Sequence, residues 1–501
     1  MKKLFQFLFV FYSSILLSQT VLTSHPIDFK KSNENKAKLN IEKLRTLDEV
    51  LLSATSDFKN SKENNQILNI ENENTHEVFV FIKDSEKITI LKYNRALFLN
   101  SEYVFPLQNL EDVQLTGCSF SKNGKLNLYL SPILPGNKAP LAFILTLKFD
   151  LENKTHTLYS TKLPPTEVVV TTFQMNNSFH ILAQHRIMQT LIVYSFEEPK
   201  VAKKVFDLSS FTFQDKNGKM QNFNSLTNAY PIEKMDVNDY NLLDKTAQKS
   251  KVYIQNNHIV LTLDYSPKNT QAFDLNLENG YLSEKNFPQS VLQDAKKKSN
   301  SFYHRGKLYQ INVSESELSL DIKDFNSGET LKKTRVLNES DQEFKNIPLF
   351  IQKDSRKPKD IKKPKQFLQH LNDLDVGLTV YNTKRKTYIS IGGIPMAENK
   401  ENLFQANASY NSFLYDEFSD IDFAPIYHFK YAYFESILDQ NLELVAREET
   451  PLAIDKLHYF VNTTKKTTLT SVLKYKDYYI LGYYDKKSKQ YIMRKFTDGF
   501  N

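Results

Sequence analysis

Apolar residues recur in short runs along most of the chain, and polar, turn-forming pieces interrupt them at close intervals. Glu167–Asp207 shows the pattern most clearly. There Val168–Phe173, Phe179–Gln184, Thr190–Phe196 and Val201–Phe206 are separated by Asn176-Asn177, His185-Arg186 and Glu197-Glu198-Pro199. Runs this short and this rich in Val, Ile, Phe and Tyr predict strands, and the brief links make successive strands antiparallel neighbours. One four-stranded sheet cannot bury both of its faces. Copies stacked around an axis can.

Similar units do recur. They cover Glu77–Phe105 (VFVFI, KITILKY, ALFL, YVF), Val113–Leu163, Glu167–Asp207, Val252–Phe287 and Ser301–Leu337. An interrupted unit follows, built from Gly377–Tyr381, Thr387–Ile391, Ile426–Ser436 and Leu442–Ala446; the last, Leu457–Phe496, offers LHYFV, LTSVLKY, YYILGYY and YIMRKF. The expectation is an all-β chain folded as a β-propeller of seven blades over residues 77–501, with six or eight blades as alternatives. Long insertions fall at 208–250, 338–375 and 395–424. By strand count the short turns share one face of the propeller. The long insertions, together with the Pro-rich Ser131–Pro140, share the other.

Ahead of the blades, residues 19–76 read as a polar leader, within which Leu44, Leu47, Val50 and Leu51 recur at the spacing of a short amphipathic helix. Lys2 and Lys3 precede an apolar run from Leu4 to Leu17 that is short of the roughly 20 residues a membrane span needs. That arrangement predicts a signal peptide over residues 1–18, cleaved near Ser18–Gln19, with an uncleaved anchor as the competing reading. The expected destination is export to the periplasm, the cell surface or the medium.

Composition changes this picture little. With no Trp among 501 residues, 36 Phe and 27 Tyr carry the aromatic packing. Only 12 Gly are present, so Asn, Asp and Lys are expected to serve many turns. The formal charge is +7, and removing Lys2 and Lys3 with the signal leaves 7 − 2 = +5. A balance this mild, without a concentrated basic stripe, argues against nucleic acid as a partner. The single Cys118 excludes an internal disulfide and reads as a buried, inert residue.

FDLENKTHTLYSTKL, YSFEEPKVAKKVFDL, FDLNLENGYLSEKNF and IKDFNSGETLKKTRV share one local pattern: an aromatic or apolar strand, turn residues, then a polar strand. The pattern resembles the outer hairpins of many secreted β-propellers, and the leader ending in LLSQ resembles those of exported Bacteroidota proteins. The resemblance implies architecture and export only. Tryptophan-based propeller signatures are absent, and the Gly392-Gly393 pair, similar to the kelch double glycine, occurs once.

Candidate chemistry is sparse. His180 and His185 do not share a metal-binding spacing, Ser471 and Lys474 match S-x-x-K only as letters along a strand, and Asp215–Gly218 reads as a turn. No catalytic set, metal site or cofactor is expected. Two insertions stand out. Lys353–Lys365 carries Lys357, Lys359, Lys362 and Lys363 among other cations and reads as a solvated loop, with a dock for an anionic polymer or membrane face as the alternative. Ser409–Pro425 interleaves Tyr410, Phe413, Tyr415, Phe418 and Phe423 with Asp416, Glu417, Asp420 and Asp422, and reads either as a structural loop whose rings pack on the propeller rim or as a recognition surface. The leading reading is an exported non-enzymatic propeller that binds a protein or polysaccharide through these loops. The alternative is a glycan- or polymer-acting hydrolase whose loop carboxylates stand near the channel mouth.

Overall fold

The computed structural model describes residues 19–29, 65–106, 113–121, 124–132, 143–197, 200–266, 268–294, 297–337, 347–353, 358–383, 386–395, 430–446, 451–464 and 467–499. Among the described residues seven sheets of four or more strands follow one another along the chain, antiparallel throughout except for one added parallel strand in the fourth. Their inner strands are Gln66–Glu71, Val113–Phe120, Glu167–Met175, Ser250–Gln255, Lys298–His304, Asp375–Asn382 and Thr467–Tyr475. Outer strands such as Thr155–Lys162 and Thr330–Leu337 are largely exposed, whereas second strands such as Leu126–Pro132 are buried throughout. A second strand covered on both faces needs continuous rather than alternating apolarity, as in its LNLYLSP sequence.

Shared cores join each sheet to the next. Phe79 meets Phe120 between blades 1 and 2 at 4.9 Å, and Tyr129 stacks on Phe179 between blades 2 and 3 at 4.5 Å. Leu182 and Val252 belong to one cluster spanning blades 3 and 4, and Tyr253 meets Phe302 edge-on between blades 4 and 5. Ile311 and Leu378 share the core of blades 5 and 6, Tyr388 and Tyr483 that of blades 6 and 7, and Tyr491 and Ile67 that of blades 7 and 1. The ring of contacts closes. The molecule is a seven-bladed β-propeller.

Closure is also made by the backbone. Gln19–Pro26 pairs antiparallel with Gln490–Phe496 and forms the outer strand of blade 7. Residues 19–76 therefore hold more than a polar leader: they supply this strand and the inner strand of blade 1, Gln66–Glu71. Their polar composition suits an outer strand and a short inner one, neither of which needs a fully apolar sequence. The expected helix around Leu44–Leu51 and the signal segment 1–18 lie outside the described residues.

LHYFV is not a strand. It lies within the helix Ala453–Thr463, where Ile454, Leu457, Phe460 and Val461 recur at helical spacing and pack between blades 6 and 7. Blade 6 is completed in two pieces: Leu349–Lys353 pairs with the first half of Lys430–Leu438, and Leu444–Ala446 with its second half.

Turn chemistry follows the residues. The paired positive φ of Asn176 and Asn177 (51° and 59°), and of Asn256 and Asn257 (45° and 62°), are those of a type I′ hairpin turn. These inner hairpins open on one face. The blade-to-blade links and the second-to-third loops open on the other, so the described strand ends flanking residues 133–142, 208–249, 338–374 and 395–429 all meet that long-loop face.

Candidate functional site

The propeller axis is occupied by the chain itself. Ile232–Met235 runs parallel to the inner strand of blade 4, from Ile232↔Ser250 to Met235↔Tyr253, on the axial side of that strand. The parallel direction carries it down from the long-loop face. Lys234 Nζ donates to the Thr172 carbonyl of blade 3 at 3.1 Å. Residues 236–241 then turn as a loop closed on itself by Asn241, whose Oδ1 accepts from Asp236 N and whose Nδ2 donates to Asp236 O, both at 2.8 Å. Asn241 N reaches Thr379 Oγ1 of blade 6 at 3.4 Å.

The return runs along blade 6 through a one-turn helix, Leu243–Thr246. Two glycines make room for it. A Cβ at Gly377 would lie 2.7 Å from Ala247 N, and one at Gly392 would lie 2.8 Å from Leu243 Cδ1. Asn300 of blade 5 fastens the upper end by donating to the carbonyls of Ala247 (3.0 Å) and Val376 (2.7 Å). One segment, 231–249, thus touches blades 3, 4, 5 and 6.

Its lower loop also meets blade 7. The Tyr479 hydroxyl donates to Asp239 Oδ1, which also accepts from Tyr240 N at 2.6 Å. Burial, reinforced by the neighbouring Asp236, pushes the Asp239 carboxyl up to about 6. Lys474 lies 3.8 Å over the Tyr479 ring and donates to the Tyr381 hydroxyl at 3.2 Å; burial lowers its ammonium from the usual lysine value. Burial holds the Tyr381 hydroxyl up at about 12 and that of Tyr479 higher still. Beside Tyr240, a cavity of about 10 Å³, water-sized, opens between blades 6 and 7 against Tyr381, Tyr388, Glu435 and Asp455.

A second polar centre lies at the long-loop end of blades 4 and 5. Lys251 and Asp264 form a fully buried ion pair at 2.9 Å. Lys251 also donates to Asn300 Oδ1 (2.5 Å) and the Gln248 carbonyl (2.6 Å), while Asp264 accepts from Thr270 Oγ1 (2.7 Å) and Ser301 Oγ (2.9 Å). Burial opposes the charge on Asp264, but the ammonium groups of Lys251 and Lys249 outweigh it and hold the carboxyl below its usual range. Every partner is spoken for, which is the arrangement of a structural pair.

The residues singled out in sequence divide clearly. His180 is buried, stacks on Phe173 at 4.9 Å and bonds Ser195 Oγ at 2.9 Å; burial lowers its pKa to about 4. His185 Nδ1 accepts from Met188 N at 2.9 Å. Cys118 is buried and its thiol is pushed up, as expected of an inert residue. Ser471 Oγ accepts from Asn69 N at 2.9 Å, far in role from the ring-stacked Lys474. Asp215 accepts from Asn217 N and Lys219 N, a turn. Lys359, Lys362 and Lys363 are exposed. Lys357 and the whole set Tyr410, Phe413, Tyr415, Asp416, Glu417, Phe418, Asp420 and Asp422 lie outside the described residues. Sequence reasoning missed Asp239 and its axial segment; the paired signal was Gly377 and Gly392, facing each other in register on adjacent strands.

Among the described residues no group of three or more His, Cys, Asp or Glu is placed to hold a metal, and no helix is long and apolar enough to cross a membrane. No family model and no curated protein matches the chain. Solved structures with a likeness include the WD40 domain of SCAP from fission yeast, at 9% identity over 84% of this chain and 82% of that one, with a TM-score of 0.26. Others are the Dos1 propeller (10% identity, 63% and 64%, TM-score 0.22) and prolyl oligopeptidase B from Galerina marginata (9%, 67% and 38%, TM-score 0.27). Likeness at this level carries no inference about ligand or reaction; the fold rests on the seven linked sheets and their closing strand.

Proposed function

We propose that the protein is an exported, non-enzymatic propeller that binds a protein or polysaccharide through its long-loop face. The observation that carries this reading is the occupied axis: residues 231–249 fill the place where a propeller otherwise offers a central cleft. The surface left for a partner is the face where the insertions begin and end, on a rigid scaffold. Part of the basic segment is ordered at the outer edge of blade 6, where Lys359 and Asp360 pair with Ile351 and Phe350. Ile361 N donates to the Leu349 carbonyl at 2.7 Å, and Ile361 and Pro364 are buried while Lys359, Lys362 and Lys363 stand exposed around them. Anchored cations of this kind favour a polyanionic ligand, because less side-chain and loop freedom is lost on binding. The aromatic and acidic residues Tyr410, Phe413, Tyr415, Asp416, Glu417, Phe418, Asp420 and Asp422 belong, in this reading, to the same surface.

The test uses the processed full chain on columns of polygalacturonate and of neutral dextran. Retention by polygalacturonate at about 0.15 M salt, abolished by the triple variant Lys359→Glu/Lys362→Glu/Lys363→Glu with an unchanged Tm, supports the reading. Equal retention of the variant, or no retention at any salt, overturns the basic segment as a binding surface. Release of reducing ends from the polymer overturns the non-enzymatic reading in favour of a hydrolase.

A further inference from the structure

Each blade ends in an outer strand whose backbone donors and acceptors on one side face away from the sheet. Such an edge invites a further strand unless something blunts it. Most of the outer strands are blunted. In blades 3 and 5, Lys200–Asp207 carries Lys203 and Lys204, and Thr330–Leu337 carries Lys332, Lys333 and Arg335. In blade 4, Leu282–Pro288 holds Glu284, Lys285 and a terminal proline. In blade 1, Leu99–Pro106 holds Glu102, a proline and a shifted register beside Tyr93. The outer strand of blade 7, Gln19–Pro26, ends in a proline and is broken by a shift between Val21 and Thr23. Blade 6 has two short pieces in place of one edge.

The outer strand of blade 2 has none of these guards. Thr155–Lys162 pairs with Phe143–Asp150 without a register shift, contains no proline, and has no Asp, Glu, Lys or Arg before Lys162. Among the described residues it is the last strand of its sheet. Leu158 and Tyr159 at its centre are 50% and 43% exposed.

We propose that this edge pairs with itself: two copies of the chain join blade 2 to blade 2 as antiparallel strands about a two-fold axis. Charge argues for this occupant. Two identical antiparallel strands must set one residue opposite its own copy on the axis. With Thr157 there, Leu158 faces His156 of the second copy, Tyr159 faces Thr155, and no like charges meet. Just beyond the paired stretch the same register brings the exposed Lys162 opposite the exposed Glu152 of the second copy, twice by symmetry. Centring on Leu158 would set Lys154 against Lys162, so charge selects the first register. Self-pairing of the blade 3 or blade 5 edge would set lysine against lysine or arginine. The facing stretch Thr155–Tyr159 is short, which makes the association weak and concentration-dependent.

Sedimentation equilibrium of the processed full chain over about 1–200 µM reads it, and the weight-average mass should rise from one chain toward two. Thr157→Lys sets two ammonium groups against each other on the axis, and Thr157→Glu two carboxylates. Each should weaken association by about fivefold or more. The Tm should not change, because residue 157 is exposed. An equimolar mixture of the two variants should regain the dimer, a rescue that misfolded chains could not give. A wild type that stays monomeric throughout, or an association untouched by Thr157→Lys, would overturn the proposal. Variants that remain apart when mixed would overturn the placing of Thr157 on the axis.

Discussion

Removing the Lys251 ammonium while leaving Asp264 in place should cost the propeller far more than removing both charges. Lys251 and Asp264 are each 0% exposed and stand 2.9 Å apart. Lys251→Met preserves most of the stem volume but leaves a buried carboxylate without its ion-pair partner, with Thr270 Oγ1, Ser301 Oγ and Ser301 N as donors and Lys249 as the remaining nearby cation. Breaking a buried pair in this way costs about 3–5 kcal/mol. The unfolding entropy of a chain this long is roughly 1 kcal/mol per degree, so the Tm should fall by about 3–5 °C. The double variant Lys251→Met/Asp264→Asn lacks the orphan charge and should recover at least half of that loss.

The pH dependence gives an independent reading. Asp264 is held below its usual range in the fold, so its contribution is present above about pH 4 and is lost as the pH falls through that depressed value. In Lys251→Met the carboxyl gains from protonation instead, and its deficit should shrink toward pH 4. Differential scanning calorimetry at pH 4.5 and pH 7.5 on the wild type, Lys251→Met, Asp264→Asn and the double variant measures both effects. A Tm loss under 1 °C in Lys251→Met, or a double variant no better than the single one, would refute the reasoning.

Two further outcomes follow from geometry and from sequence. Gly377→Ala places a methyl 2.7 Å from Ala247 N, backbone that no side-chain rotation can move aside, and should destabilise by about 1–3 kcal/mol while exposing residues 236–247 to limited proteolysis; an unchanged Tm and an unchanged cleavage pattern would contradict the tight fit. The export proposal expects a mature N-terminus close to Gln19, read by N-terminal sequencing; a chain retaining Met1 in the cytoplasm would end it.

Much of this fold was legible because a propeller repeats a local unit. In Glu167–Asp207 each strand sits beside the next in sequence, so short runs and Asn-Asn turns carry nearly all the needed information. Legibility failed wherever a partner was distant. QTVLTSHP is a strand only because Gln490–Phe496 offers it an edge, and nothing in its own residues announces that partner. The short stretch Ile232–Met235 pairs in parallel inside the axis, a position no periodicity distinguishes from an ordinary link. LHYFV has strand-like residues, yet Leu452, Ala453 and Ile454 just before it extend the apolar spacing into a helical stripe between two blades. The functional reading suffered most. Asp239 gains its character from burial beside Asp236 and against Tyr479 of blade 7, and that juxtaposition exists only after the ring has closed.

The closing strand sets a schedule for the ring. Gln19–Pro26 emerges ahead of every other described strand during synthesis, and its partner Gln490–Phe496 emerges after all of them. At about 5–20 residues per second, the early strand waits roughly 25–100 s for its mate. Through that interval it must stay unpaired, or held by something else, while blades 1 to 6 are completed beside it. An unpaired strand with the backbone donors and acceptors of an edge is a template for wrong pairing. A chain that crosses a membrane unfolded postpones that hazard, because both ends are then present before folding starts. Circular permutants that rejoin the two halves of blade 7 in sequence should fold faster than the natural order, with little change in the finished stability.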